Sequence, residues 1–166
     1  MSNISKAFDH GKAFIGFATA GDPDLEASRR VMLEMARGGC DLIEIGIPFS
    51  DPIAEGPVIQ EADLRALNAG TTTDKVFEMT AKLSAETDVP LVYMTYLNVL
   101  FKYGYEKFLK SAKESGVSGV IVPDLPFEEK GELQSVAEKF DIDVISLVAP
   151  CLLYTSPSPR DRSVSR

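Results

Sequence analysis

Residues 41–60, DLIEIGIPFSDPIAEGPVIQ, decide how this chain is read. The opening seven residues alternate with period two: Ile43, Ile45 and Ile47 share one face, and Leu42, Glu44 and Gly46 share the other. A strand that is apolar on both sides is what a buried parallel sheet requires. The isoleucine face suits a layer of helices. The opposite face then carries one carboxylate, Glu44, near the strand's C-terminal end. Burying a carboxylate in an apolar run costs several kcal/mol unless it is paired or put to chemical use. Gly46, one step further along that face, leaves room for a ligand. Two structural alternatives stand beside a catalytic role: a strand-end Glu reaching solvent, and a structural ion pair. The loop that follows is stiffened by Pro48, Pro52, Pro57 and Gly56, and it carries Asp51 and Glu55. It reads either as a functional loop reaching back over the strand ends or as a rigid solvated turn.

Outward from this segment, the same unit repeats. Residues 13–18 (AFIGFA) form an apolar run of strand length, closed by the turn TAGDP. Residues 24–37 place Leu25, Val31, Met32, Met35 and Ala36 at helical spacing, with Asp22 or Asp24 as N-cap and Gly38-Gly39 as the stop. Further helices are expected over 48–69 (after a loop), 73–86, 105–115 and 127–139. Further strands are expected at 91–96, 119–122 and 143–148. Five strands thus alternate with helices.

Two architectures fit that alternation, an open doubly wound sheet and a closed (β/α)8 TIM barrel. The first loop lacks the G-x-G-x-x-G of a dinucleotide site. Polar residues recur at strand ends: Thr19 and Asp22, Glu44 and Asp51, Tyr96 and Asn98, Asp124. Barrel active sites are assembled in that way. Five units in 150 residues also match the pace of a barrel of about 250 residues. The expected fold class is therefore α/β, a (β/α)8 TIM barrel cut short after about five units. Such a chain is expected to leave inward residues such as Leu42 and Ile121 uncovered, and to be inactive.

Composition excludes several functions. Apolar residues make up 45% of the 166, enough for a core, and no apolar run reaches the ~18 residues of a membrane span. The start, MSNISKAFDHGKAF, lacks a secretory signal pattern, so the expected location is cytoplasmic. A net charge of −8 without a basic cluster argues against nucleic acid or an acidic membrane as partner. Two cysteines, Cys40 and Cys151, and one histidine, His10, leave almost no material for a metal centre or a Cys/His nucleophile pair. His10, in a Gly/Lys turn, reads as a surface residue.

The segment LIEIGIPFSDPIAEGPVIQ resembles the central motif of the tryptophan synthase alpha subunit family. GFATAGDP before it, and MTYLNVLFKYG and GVIVPDLPFEE after it, match the family in the same order, over about residues 6–150. The resemblance implies cleavage of indole-3-glycerol phosphate to indole and glyceraldehyde 3-phosphate, a retro-aldol reaction without cofactor. It implies that Glu44 is the shuttling acid/base and that Glu55 interacts with the indole N–H; the family more often has Asp at the latter position. It further implies an indole pocket lined by Phe17, Met94, Tyr96, Ile121 and Pro123, the last four in pairs two residues apart. Asp51, Asn98 and Pro126 match positions near a β subunit, which carries pyridoxal phosphate in an α2β2 complex. The family's phosphate-binding loops lie after later strands.

Two other functions fit parts of this pattern. A related barrel enzyme, indole-glycerol-phosphate synthase, is expected to use lysines at strand ends, where this chain has carboxylates and aromatics. A non-catalytic module that only activates a β subunit would not need both Glu44 and Glu55. Residues 1–150 are expected to form the incomplete barrel domain. Residues 151–166 are Ser-, Pro- and Arg-rich, and over eleven residues CLLYTSPSPRD resembles the in-frame translation of a transposon-type sequencing adapter. They are expected to be foreign to the fold.

Overall fold

The computed structural model describes residues 3–147; the segment 151–166, Cys151 and the end of the strand expected at 143–148 lie outside them. Five strands form one sheet: β1 (Ile15–Thr19), β2 (Leu42–Gly46), β3 (Leu91–Met94), β4 (Gly119–Ile121) and β5 (Asp143–Ile145). Six helices connect them: α1 (Leu25–Arg37), α2 (Pro57–Asn68), α3 (Thr73–Ser84), α4 (Leu97–Tyr103), α5 (Tyr105–Glu114) and α6 (Lys130–Lys139).

The helix starts follow from local chemistry. Asp24, rather than Asp22, caps α1, its carboxylate accepting the Ala27 N–H at 2.8 Å. Thr72 caps α3 in the same way, and Pro57 opens α2, where a missing N–H costs nothing. Helix α4 has no counterpart in the sequence reading, because its seven residues give too short a window for periodicity. The N-terminal 3-10 turn, Asn3–Phe8, is too short to show a period for the same reason.

Strand order separates the two architectures. All neighbours are parallel and the order is β1-β2-β3-β4-β5, so the chain winds in one direction. A doubly wound sheet reverses direction at a switch point, and this sheet does not. The result is an arc of a (β/α) barrel.

The period-two reading of β2 holds. Ile43, Ile45 and Ile47 join Leu91, Tyr93, Val120, Phe77 and Phe108 in the core between sheet and helices. Leu42 lies in a separate, smaller cluster with Val92, Ile121 and Ala7, flanked by Met94 and Ile145. That cluster marks the concave, inward side.

Two expectations about burial need correction. Leu42 and Ile121 are 3% and 4% exposed, not uncovered. The N-terminal 3-10 turn supplies the cover: Ala7 and Ile4 pack onto this cluster, and Ile4 Cδ1 lies 2.7 Å from where a side chain on Gly119 would begin. Val31 is exposed and Leu33 is buried in its place, because Val31 falls on the outward side of α1.

The outermost strands are the least covered. Within the described residues β1 and β5 each pair on one side only, and Phe14 (64%), Ile15 (41%) and Leu147 (56%) stand exposed. Unpaired strand edges with apolar neighbours invite association with other chains. Residues 1–150 expressed alone are therefore expected to self-associate. Ile15→Lys should shift the population toward monomer in sedimentation velocity; an unchanged distribution would exonerate the β1 edge.

Candidate active site

Glu44 sits in the middle of β2, in register with Phe17 of β1 and Val92 of β3. Paired residues of parallel neighbours point the same way, so its carboxyl projects to the concave side with Val92. It is half-buried, and burial alone raises its pKa above the usual carboxylate range. Neither a salt bridge nor a hydrogen bond engages it among the described residues, which disfavours the structural ion pair. Gly46 departs from expectation. A side chain there would begin 2.7 Å from Phe17 Cζ, so the aromatic ring, rather than open space for a ligand, lies over this glycine.

The loop between β2 and α2 is tied down at three points. Near its start, the Phe49 N–H donates to Asp63 Oδ2 of α2, a long contact of 3.5 Å. At its centre, the Ala54 N–H donates to the Tyr96 hydroxyl at 2.9 Å, and that hydroxyl donates to Glu55 Oε2. Near its end, Gln60 Nε2 donates to the Glu55 carbonyl at 2.9 Å. Phe49 also packs its ring against Tyr96, centroids 5.3 Å apart. Tyr96 follows β3 and caps α4, so it fastens the loop across the strand ends. Glu55 is thereby held at the mouth. Its pKa is raised by burial and by the Asp63 charge, while the N–H groups of Glu55 and Ala54 oppose the rise and Asp124 adds to it.

Asp63 escaped the sequence reading. It is 5% exposed on a helix face shared with Ala62 and Ala66. An acid between small residues at helical spacing is the signal that could have flagged it. Burial pushes its carboxyl up to about 6, against opposing help from the Phe49 N–H and the Thr19 hydroxyl. The one nearby cation on α2, Arg65, is turned away: it grips Asp22 with two hydrogen bonds of 2.7 and 2.8 Å. Asp124, from the end of β4, accepts the Leu97 N–H at 2.9 Å and so secures the start of α4.

The remaining expected residues distribute as follows. Met94 and Ile121 are in register and share the inner cluster. Tyr96 and Pro123 lie beyond the ends of β3 and β4, so they border the mouth rather than continue the strand face. Asp51, Asn98 and Pro126 are exposed, on the segments that follow β2, β3 and β4. His10 is exposed in a turn. Among the described residues, no three His, Cys, Asp or Glu side chains are grouped to hold a metal ion. No helix there is long and apolar enough to cross a membrane.

These features define a class: a singly wound parallel (β/α)-barrel unit with one half-buried carboxyl on the concave face of β2 and another in the loop beyond it. The family model described as tryptophan synthase alpha chain matches residues 4–156, and the chain belongs to that family. A relative from Lacticaseibacillus casei, a tryptophan synthase alpha chain, is 48% identical over 150 residues, 90% of this chain and 56% of its own. The chain thus spans about half the length of the curated relatives it matches. The crystal structure of the alpha chain from Legionella pneumophila superimposes with a TM-score of 0.87 at 37% identity, covering 95% of this chain and 60% of that one. A tryptophan synthase α2β2 complex from Pyrococcus furiosus, solved to explain mutual activation, contains a chain that aligns with a TM-score of 0.80 at 37% identity, over 90% of this chain and 61% of that one.

The raised pKa of Asp63 fixes the sign of a stability effect. Between its ordinary 3.8 and about 6, the folded state holds the proton more tightly than the unfolded state. Stability contributed by this group is present below 3.8 and is lost as pH rises through 6. Asp63→Asn in the full-length chain should therefore gain more thermal stability at pH 8 than at pH 5. Between those two pH values the difference is on the order of 1–1.5 kcal/mol. Equal shifts in melting temperature at both pH values would contradict this.

Proposed function

We propose that these residues form the acid–base half of an enzyme that cleaves indole-3-glycerol phosphate to indole and glyceraldehyde 3-phosphate. The carrying observation is Glu44: a half-buried carboxyl on the concave face, with its pKa raised by burial and no partner among the described residues. A carboxyl so placed holds its proton more tightly than a solvated one, which suits a group that both donates and accepts a proton.

In the retro-aldol step, indole C3 gains a proton, the bond from C3 to the glycerol carbon breaks, and the hydroxyl on that carbon loses its proton to become the aldehyde. Glu44 is assigned both transfers. Protonation at C3 puts positive charge on the ring, and the indole N–H becomes more acidic. Glu55 is assigned to accept a hydrogen bond from that N–H and stabilise the charge. The Tyr96 hydroxyl supports this by fixing one carboxylate oxygen at the mouth. Phe17, Met94, Tyr96, Ile121 and Pro123 are assigned to the walls of the indole pocket. The reaction itself calls for no cofactor.

The partner is assigned as a tryptophan synthase β subunit in an α2β2 complex, itself the carrier of pyridoxal phosphate. Asp51, Asn98 and Pro126 are the proposed contacts. Their exposure, together with that of Ile53 and Phe101 on the same loop and helix, supports a docking rim around the mouth. The cytoplasm is the proposed location.

Measurement of indole release by the full-length chain tests the assignment. Glu44→Gln is expected to lower turnover by ~10²–10⁴-fold, the usual cost of losing a positioned acid/base. Turnover within about threefold of wild type would remove Glu44 from the mechanism. At the second carboxyl, Glu55→Ala should lower turnover while Glu55→Asp largely preserves it. Normal turnover by Glu55→Ala would leave that carboxylate a purely structural role.

A further inference from the structure

We propose that Asp63 is a positioning residue of this site: from α2 it holds the loop backbone at Phe49 and brings a second buried carboxyl to the loop that carries Glu55. The inference rests on the catalytic reading of Glu55 given above. Three observations carry it. Asp63 is almost wholly buried, although a carboxylate in such a place costs free energy that an apolar residue would not. Its Oδ2 takes the N–H of Phe49, the residue whose ring packs on Tyr96, so the contact lies on the same chain of interactions that fastens Glu55. It also stands beneath the same β2–α2 loop that carries Glu55, so its ionised form is a like charge that raises the Glu55 pKa further than burial does alone.

The groups facing Asp63 leave this charge uncompensated. From β1 comes the Thr19 hydroxyl, which is buried and finds no well-formed hydrogen bond of its own. From the turn after β1 comes Asp22, a like charge already occupied by Arg65. From the loop comes Glu55, and from α2 itself the Arg65 guanidinium points to Asp22. An ordinary structural role would be served by an amide, which accepts the same N–H without the charge. The carboxylate adds an electrostatic effect on Glu55: it makes the proton of Glu55 harder to lose.

Asparagine therefore separates the two roles. In the full-length chain, Asp63→Asn keeps the acceptor for Phe49 and removes the charge. The acidic limb of its kcat/KM profile for indole-3-glycerol phosphate is expected at lower pH than in wild type. Asp63→Ala removes both, and kcat/KM is expected to fall ~10–100-fold as the loop loses its position. A wild-type profile for Asp63→Asn, with Asp63→Ala within about threefold of wild type, overturns the proposal while leaving the catalytic reading intact. If wild type itself releases no indole, the catalytic reading falls and takes this one with it. A measurement on unmutated protein guards against variants that fail to fold. With glutamate labelled at its carboxyl carbon, the Glu55 resonance should titrate in two coupled steps, one reporting Asp63. A single uncoupled step would show that the two carboxyls do not sense each other, and would overturn the proposal.

Discussion

The arrangement depends on β2 being a strand buried on both faces within a parallel sheet. Because β2 lies between β1 and β3, its backbone is saturated with hydrogen bonds and its side chains have only two directions to take. The isoleucines fill the direction toward the helices. Glu44 is left with the other, where Phe17 and Val92 flank it and water is partly excluded. Its raised pKa is a consequence of that exclusion. The loop that brings Glu55 to the mouth also begins where β2 ends, so the placement of both carboxyls traces back to one strand.

Three carboxyls at the mouth, Glu44, Glu55 and Asp63, all have raised pKa values, and burial is the leading cause in each case. None forms a salt bridge among the described residues. The nearby guanidinium of Arg65 is committed to Asp22, where it braces the turn after β1 against α2. A site meant only to be stable would pair its buried acids. This one leaves them unpaired, with burial favouring the protonated form of each. Tyr96 adds geometry to electrostatics, since a single hydroxyl accepts from the loop backbone and donates to the Glu55 carboxylate.

The two sides of the sheet differ in how they are stabilised. The helix side holds a continuous core with interlocked aromatics, Phe77, Tyr93, Tyr103 and Phe108, whose ring centroids lie 5.2–6.2 Å apart. The concave side holds only a small cluster, closed from below by the N-terminal 3-10 turn. Packing therefore concentrates away from the site, and the mouth relies on hydrogen bonds between loops. Loops placed on a rigid scaffold in this way can carry chemistry without being part of the core.

The sequence by itself determined the parts governed by local rules. Period-two and helical spacing located every strand and most helices, and strand alternation alone placed Glu44 opposite Ile43 and Ile45. The 3-10 turn and α4 were too short for periodicity to reveal. Tertiary structure decided what depends on residues distant in the chain. The sequential strand order, the cover that Ile4 and Ala7 give to the inner face, and the ring of Phe17 over Gly46 each join separate segments. So does the Tyr96 bridge to a loop 41 residues earlier. Asp63 is the clearest case. In sequence it is one of two acids on α2, two residues from Glu61 and from Arg65. Only the fold buries it under the loop, turns Arg65 toward Asp22, and leaves its charge to act on Glu55. Burial and electrostatic coupling are properties of three-dimensional neighbours, which a linear pattern does not record.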